Sequence, residues 1–254
     1  MIKLNKIWRL FATGLSFFMF SFGGVILSYI YLPLISFFIK DEEKRIKKAQ
    51  FAIYVTFKMF IGMLSLFGIF RFRFEGMEKL KEDKGCIFIA NHPTLIDYVS
   101  IVSHLPQCDN MVKKELWENP YYGHVVNSAG YIPNIDAEQT FGRLKEIFSE
   151  GRNLLMFPEG TRTVPGVPIK LQRGAAQLAI RTDAQIRMIH IDCTPVTLTK
   201  GSKWYNIPDV KPEFSVVVGD KINPAEFLEN AEDLPSLAAR RLTRCLQEQL
   251  SKKI

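Results

Sequence analysis

The apolar residues of this chain are concentrated in two long segments near its start. Residues 10–39 contain no charged side chain, and residues 49–70 are apolar apart from Lys58. A helix that crosses a membrane needs about 20 apolar residues, whereas a secretory signal has a shorter apolar core and a small-residue cleavage site. No such cleavage site precedes Lys40. Residues 1–70 are therefore predicted to form a retained N-terminal membrane anchor.

Two arrangements of the first apolar segment are open. The glycine pair at 23–24 and Pro33 are able to bend it, so residues 10–39 form either one tilted transmembrane helix or a helical hairpin. We predict that residues 49–70 lie in the membrane interface as an amphipathic helix, with Lys58 reaching the headgroups. The alternative is that this second segment is a buried helix of the globular domain.

After residue 70 the pattern changes to short apolar runs that alternate with amphipathic segments. Residues 71–75 alternate charged and apolar side chains with period two, which predicts a strand. Further strands are predicted at 86–90, 109–113, 153–157, 186–197 and 213–218, with a short strand or turn at 130–133. The amphipathic segments predict helices at about 94–104, 116–129, 137–150, 171–182 and 234–251. Such alternation is typical of an α/β fold. Because no internal repeat or linker interrupts them, residues 71–254 are predicted to form one domain.

The charge of the chain narrows the choice of partners. A net charge of +7 and an isoelectric point of about 9.2 suit an anionic surface, which is either nucleic acid or phospholipid. Many of the 20 phenylalanines lie before residue 76, which favours a phospholipid membrane. Nucleic acid is not an expected partner, because the chain lacks a platform of interleaved aromatic and basic residues and because nucleic acid does not explain residues 10–39.

The cysteines give no sign of a metal site. Cys86, Cys108, Cys193 and Cys245 are widely spaced, without a CxxC pair and without clustered histidines. Nothing suggests a disulfide framework, which fits a reducing compartment. We therefore expect no metal and no resident cofactor.

The first polar motif follows the apolar run 86–90. Pro93 cannot extend a strand ladder and fixes its own φ, so the chain must turn there. Thr94 is then able to cap a helix, with Asp97 in its first turn or so. His92 therefore stands at the end of a strand, where ligands bind in α/β proteins, and its side chain is able to reach Asp97.

Two interpretations of this pair are open. In the first, the Asp97 carboxylate holds one tautomer of the His92 imidazole and leaves the other ring nitrogen free to accept a proton. In the second, His92 is an ordinary loop histidine beside a helix-capping aspartate.

The second polar motif repeats this layout after the apolar run 153–157. Pro158 ends the strand, and Gly160 lets the backbone approach a ligand closely. Arg162 offers a fork of donors that suits phosphate or carboxylate oxygens. Glu159 either orients Arg162 or accepts a hydrogen bond from a substrate hydroxyl. An ordinary turn with a surface ion pair is the alternative.

The two polar motifs of this chain are Asn91-His92-(x4)-Asp97 and Phe157-Pro158-Glu159-Gly160-Thr161-Arg162. Together they resemble the motifs of the glycerolipid acyltransferase family. This family includes lysophosphatidic acid and glycerol-3-phosphate acyltransferases. The separation of the two motifs by about 65 residues is also typical of that family. Further similar blocks are Gly130-Tyr131-Ile132-Pro133 and Thr194-Pro195-Val196. The resemblance covers roughly residues 70–220. It implies an α/β fold with a mixed β-sheet flanked by helices and with N-terminal membrane-embedded helices.

The resemblance also implies a role for individual residues. His92 is expected to be the general base that deprotonates an acceptor hydroxyl, and Asp97 to orient His92 and stabilise its charge. The hydroxyl oxygen would attack an acyl thioester carried by coenzyme A or acyl carrier protein, without a covalent acyl-enzyme, in agreement with the absence of a G-x-S-x-G nucleophile elbow. The expected substrate-binding residues are Asn91, Lys113, Glu159, Gly160, Thr161 and Arg162, with the last near the anionic group of the acceptor.

One block departs from the family pattern. In many members with phosphate-bearing acceptors, the second block ends in an arginine a few residues after its glycine. Here Asn134 and Asp136 occupy that neighbourhood. The cationic clamp for an acceptor phosphate is therefore weakened or moved to Lys113, Lys114 or Arg173, or the acceptor is a more specialised lipid.

The leading hypothesis is a membrane-bound O-acyltransferase at a bacterial inner membrane, with its catalytic domain facing the cytoplasm. Its expected partners are acyl-CoA or acyl carrier protein as co-substrate, a lipid acceptor and the phospholipid membrane. One alternative is a thioesterase or lipid hydrolase in which His92 activates water. Another is a non-catalytic membrane-binding protein.

Overall fold

The computed structural model of this chain describes residues 2–120, 122–133, 137–228 and 234–252. Its first part consists of α1 (Ile2–Ile26), a π-helical turn (Leu27–Tyr31) and α2 (Leu32–Phe38), which follow one another without a break.

A single long helix therefore forms from the first apolar segment, and the predicted alternative of a hairpin within it is wrong. Pro33 has no N–H to bond the carbonyl of Tyr29, and the helix widens into the π turn at this point. The chain reverses at residues 39–41, and α3 (Glu42–Leu66) packs back against α1. The helix over residues 3–38 and α3 are both long and apolar enough to cross a membrane.

The two faces of α3 have different surroundings. One face is buried in the core through Ile46, Ala49, Ile53, Phe60, Ile61 and Leu64. On this face Gln50 donates hydrogen bonds to Asp109 Oδ1 at 3.1 Å and to the carbonyl of Ala129 at 3.0 Å. The opposite side exposes the apolar residues Phe51, Val55, Met59 and Leu66. One face of α3 is thus buried in the globular domain, as the alternative interpretation has it. That the other face lies in the membrane interface stays a prediction.

The following part of the chain alternates strands and helices. The strands are β1 (Arg71–Glu75), β2 (Ile87–Ala90), β3 (Asp109–Val112), β4 (Ile132–Pro133), β5 (Leu154–Met156), β6 (Ile186–Thr194) and β7 (Glu213–Ile222). The helices are α4 (Met77–Glu82), α5 (Asp97–Val102), α6 (Lys114–Trp117), α7 (Gly123–Ser128), α8 (Ala137–Ser149), α9 (Gly174–Thr182), a 3₁₀ turn (Pro224–Phe227) and α10 (Pro235–Leu250).

The strands form one mixed sheet in the order β1-β7-β6-β2-β5-β3-β4. All neighbours are parallel except β6 and β7, which are antiparallel. The expected α/β fold with a mixed sheet is therefore confirmed. Because β2, β3, β5 and β6 run in the same direction, the polar residues that follow them meet at one edge.

Helices cover both faces of the sheet. Successive side chains of a strand point to opposite faces, and in β2 Phe88 and Ala90 pack with residues of α1 and α3, while Ile87 and Ile89 pack with residues of α8, α9 and α10. The N-terminal helices are thus one wall of the core.

Some predicted helices differ from the structure, and the structure contains a helix that was not predicted. The helix predicted over 94–104 begins only at Asp97. The stretch 116–129 is divided into α6 and α7, since Pro120 cannot continue a helix. The helix α4 has no counterpart among the predicted elements.

Candidate active site

Asn91 closes the end of β2 against β6. Its side-chain Nδ2 donates to the carbonyl of Ile191 at 2.7 Å, and its Oδ1 accepts from the N–H of Ile191 at 2.7 Å. An amide that replaces a ladder partner in this way fixes the strand end from which His92 projects. Since both polar groups of the amide are engaged, the structure shows Asn91 as a support of the site, and its contact with substrate stays a prediction.

His92 and Asp97 form the hydrogen bond that the motif suggests. His92 Nδ1 lies 2.7 Å from Asp97 Oδ2. The Asp97 side chain is fully buried, whereas that of His92 is 22% exposed. A carboxylate accepts only, so Nδ1 carries the proton and Nε2 keeps its lone pair. Among the described residues, no group is within hydrogen-bond distance of Nε2.

Thr94 donates hydrogen bonds to both carboxylate oxygens of Asp97. Its N–H donates to Asp97 Oδ2 at 2.7 Å, and its hydroxyl donates to Asp97 Oδ1 at 2.5 Å. The Thr94 hydroxyl also accepts from the N–H of Ile96 at 3.2 Å, a bond of the capping type, and α5 begins at Asp97, three residues later than predicted. Burial raises the pKa of Asp97, and the hydrogen bonds from His92 and Thr94 oppose this. A buried carboxylate of raised pKa binds the Nδ1 proton strongly and stabilises an imidazolium.

Glu159 connects the second motif to the first. Its Oε1 accepts hydrogen bonds from the backbone N–H of His92 at 2.8 Å and from the hydroxyl of Thr163 at 2.8 Å. The N–H of Thr163 in turn donates to the carbonyl of His92 at 2.7 Å. No ion pair joins Glu159 to Arg162 in the described part of the chain, so the alternative of a surface ion pair is wrong. Glu159 holds the backbone on which His92 sits.

Gly160 lies in a tight turn after β5, where its N–H donates to the carbonyl of Phe157 at 3.0 Å. Its φ is +67°, a conformation that other residues rarely adopt. A Cβ at this position would lie 2.6 Å from Nε2 of Gln172, whose backbone N–H donates to the carbonyl of Pro158. The predicted close approach at this glycine is therefore an approach to the chain's own segment before α9.

Arg162 is held by backbone carbonyls from a distant part of the chain. Its Nη1 donates to the carbonyl oxygens of Leu198 and Thr199, each at 3.2 Å. The other guanidinium donors have no protein partner among the described residues. An open cavity of about 340 Å³ is lined by Glu159, Thr161, Arg162, Thr163, Val164, Val167, Pro168, Lys170, Leu171 and Gln172. Its size suits a small polar headgroup.

The remaining cations expected near the acceptor lie apart from this cavity. Lys113 is exposed just after β3, at the same edge of the sheet but separated from β2 by β5. Lys114 pairs with Glu118, and Arg173 is an exposed residue at the start of α9. Asn134 and Asp136, on which the departure from the family pattern rests, lie outside the described residues. The described residues contain no cluster of histidine, cysteine, aspartate or glutamate able to hold a metal ion.

Sequence reasoning missed several supporting residues. Phe157 places its ring 4.4 Å from the His92 ring, and Thr94 and Thr163 bind Asp97 and Glu159. The position of Phe157 directly before Pro158 was a usable signal, because residues that follow the ends of neighbouring parallel strands lie close together at one edge of the sheet. The two threonines carry no comparable signal, since threonine is common in loops.

Comparisons with known proteins identify relatives of this chain. A family model described as Acyltransferase matches residues 71–197. The chain is 24% identical over 146 residues to the chloroplastic 1-acyl-sn-glycerol-3-phosphate acyltransferase BAT2 of Brassica napus, an alignment that covers 55% of this chain and 42% of that protein. It is 30% identical over 128 residues to the 1-acyl-sn-glycerol-3-phosphate acyltransferase of Helicobacter pylori, covering 47% of this chain and 51% of that protein. The chain thus spans about half the length of these curated relatives.

The fold is also similar to a solved structure. The 1-acyl-sn-glycerophosphate acyltransferase PlsC from Thermotoga maritima superimposes with a TM-score of 0.67 and 20% sequence identity. The match covers 97% of this chain and 99% of that one. The likeness therefore includes the N-terminal helices as well as the sheet.

Proposed function

Because this chain belongs to the glycerolipid acyltransferase family, we propose that it transfers a fatty acyl group from a thioester donor to a hydroxyl of a lysophosphatidic acid-like lipid. The observation that carries this proposal is the hydrogen bond of 2.7 Å between His92 Nδ1 and the buried Asp97, which leaves Nε2 without a protein partner among the described residues. An imidazole arranged in this way is a general base.

The proposed reaction is a direct transfer. His92 Nε2 accepts the proton of the acceptor hydroxyl while the hydroxyl oxygen forms a bond to the acyl carbonyl carbon. The tetrahedral intermediate then collapses, the carbon–sulfur bond breaks, and the thiolate takes the proton from the imidazolium. Asp97 stabilises that imidazolium through Nδ1. General-base catalysis contributes about 10²–10⁴-fold, and positioning of the two substrates contributes much of the remaining rate.

The binding roles follow from the cavity and the charges. Arg162 is proposed to bind the anionic group of the acceptor, with Thr161 and Gly160 in the same loop. The donor is acyl-CoA or acyl carrier protein, both of which are anionic and suited to a chain of net charge +7. The exposed apolar side chains of α1, α2 and α3 support membrane association. We place the enzyme at a bacterial inner membrane with the catalytic domain facing the cytoplasm.

The test compares His92→Ala with a control variant, His124→Ala. His124 is exposed on α7. The proteins are incubated with acyl-CoA and lysophosphatidate, and phosphatidate is measured by mass spectrometry. His92→Ala is expected to lose about 10²–10⁴-fold in rate at an unchanged melting temperature, and His124→Ala to lose nothing. Full activity of the His92 variant refutes the mechanism. Release of fatty acid that does not depend on an acceptor would identify a hydrolase instead.

A further inference from the structure

Arg9 lies in α1 between exposed apolar residues, yet its own side chain is 1% exposed. Its guanidinium donates to the carbonyl oxygens of Pro208 at 2.7 Å, Asp209 at 2.8 Å and Val210 at 3.3 Å. Anchoring in a bilayer does not explain this arrangement, because burial of a charged side chain is unfavourable and apolar residues suffice for an anchor. The bonds instead tie α1 to residues 195–212, which we call the strap.

Further contacts hold the strap against α1. Lys6 pairs with Asp209 at 2.6 Å. Gly14 faces the ring of Trp204, which a Cβ on that glycine would approach to 3.3 Å. A small cavity of about 10 Å³ between the two segments is lined by Arg9, Thr13, Ile69, Phe70, Thr197, Leu198, Trp204, Ile207, Pro208 and Pro212. Such a space holds about one water molecule, so α1 packs closely against the strap.

The other end of the strap reaches the candidate active site. The carbonyl of Leu198 accepts from the N–H of Leu95 at 3.0 Å and from Arg162 Nη1 at 3.2 Å. Leu198 has a φ of +54° although it is not glycine, and its side chain is buried. A residue keeps this conformation only where its surroundings hold it there. Leu198 therefore joins the packing beneath α1 to the loop of the first motif and to Arg162.

We propose that Arg9 is a positioning residue for Arg162. By holding the strap against α1, Arg9 fixes the carbonyls of Leu198 and Thr199 and thereby the orientation in which Arg162 presents its other donors. Their ligand is the phosphate monoester of a lysophospholipid, a step that rests on the proposed function. The first helix is then part of the acceptor site and does more than attach the protein to a membrane.

The experiment compares Arg9→Met with Lys3→Met, which removes the same charge from an exposed position of the same helix. Two quantities are measured with lysophosphatidate in neutral detergent micelles: the steady-state KM and kcat, and the Kd by calorimetry in a His92→Ala background without turnover. We expect Arg9→Met to raise KM and Kd about fivefold or more, with kcat within twofold. Lys3→Met should change neither. If Arg9→Met does not fold, Arg9→Lys, which keeps the charge but not the fork of donors, is expected to give a smaller increase in both.

A double variant tests whether Arg9 acts through Arg162. In an Arg162→Ala background, Arg9→Met should produce no further rise in Kd, since the two effects are not independent. Equal Kd values for Arg9→Met and Lys3→Met overturn the inference. So does a rise in Kd for Arg9→Met that adds to the rise caused by Arg162→Ala. A fall in kcat of Arg9→Met at unchanged KM overturns it as well. Binding without any acyl transfer by the unmodified protein overturns the proposed function alone, and absence of binding overturns both.

Discussion

At the edge of the sheet where β2 and β6 begin, Asp83 accepts hydrogen bonds from Arg187 Nε at 2.7 Å and Nη2 at 2.9 Å and pairs with Lys221 at 2.7 Å. At the opposite edge, where the same two strands end, the His92 ring bonds a single carboxylate among the described residues, that of Asp97. Asp83 and Asp97 are both buried aspartates beside β2, but only the second has a partner with a ring nitrogen left open.

Polar side chains at the beginning of the neighbouring strands are also bonded to one another, as Asp83 is to its partners. Asp109, the first residue of β3, is paired with Arg152 and accepts from Gln50 of α3. Asn153 bonds the N–H of Cys86 and the carbonyl of Asp83. Groups that saturate one another stabilise a fold but cannot bind anything else. At the other edge, an imidazole nitrogen of His92 and guanidinium donors of Arg162 have no partner among the described residues. One sheet thus separates the charges that hold it together from the groups proposed to react.

The largest expected effect is that of Asp97→Asn. The amide has the same shape as the carboxylate and its oxygen is still able to accept from Nδ1, but it carries no negative charge to stabilise an imidazolium, so the rate of acyl transfer should fall about 10²-fold or more. The melting temperature should change little, because Thr94 still contacts the side chain. Initial rates at saturating substrate and a thermal melt check this. An unchanged rate would show that the pair is structural, as Asp83 is.

The same substitution at the other edge, Asp83→Asn, should have the opposite outcome. It removes the carboxylate that Arg187, which is 11% exposed, and Lys221 both bind. Removing one partner of a buried ion pair costs about 3–5 kcal/mol of unfolding free energy. Urea denaturation should show this loss, while kcat of the folded protein at low temperature should equal that of the unmodified protein. A fall in kcat with intact stability would contradict the separation of the two edges.

A smaller effect is expected from acid. Burial acts to raise the pKa of Asp83, but hydrogen bonds and charges from Arg187 and Lys221 outweigh it and hold that pKa below its usual value. A carboxyl of this kind stabilises the folded protein above its unfolded pKa of about 3.9 and loses that contribution as the pH falls through the lower folded value.

Acidification below about pH 5 should therefore lower the unfolding free energy more steeply in the unmodified protein than in Asp83→Asn. Urea titrations at a series of pH values measure both slopes. Parallel slopes would mean that Asp83 does not titrate differently in the folded and unfolded chain.

The strands were predictable because their signal is local. Each predicted strand from 71–75 to 213–218 contains or overlaps a strand of the structure. All four residues of β2 are apolar and buried, whereas β1 alternates exposed and half-buried residues with period two, and both patterns depend only on near neighbours in the sequence. Helix bounds were less predictable where side chains act on the backbone. Thr94 is a reasonable N-cap by residue type, and its hydroxyl bonds both the N–H of Ile96 and the Asp97 carboxylate, yet α5 begins only at Asp97.

The site was predictable in part for the same reason. Pro93 and Pro158 mark where two strands end, and polar residues after parallel neighbours must meet at one edge, so His92, Asp97 and the loop at 159–162 could be placed together. The functions of Asn91 and Glu159 could not be predicted, because their partners are the backbone N–H and carbonyl groups that every residue carries.

Residue order along the chain decides the strands, the turns at the two prolines and the five-residue separation of His92 from Asp97, because these depend on interactions between near neighbours. Only the tertiary structure decides that Arg162 is held by carbonyls 36 and 37 residues further on, and that Arg9 holds backbone about 200 residues away. Backbone carbonyls are chemically alike at every position. Which of them a buried arginine reaches is therefore set by strand order and packing.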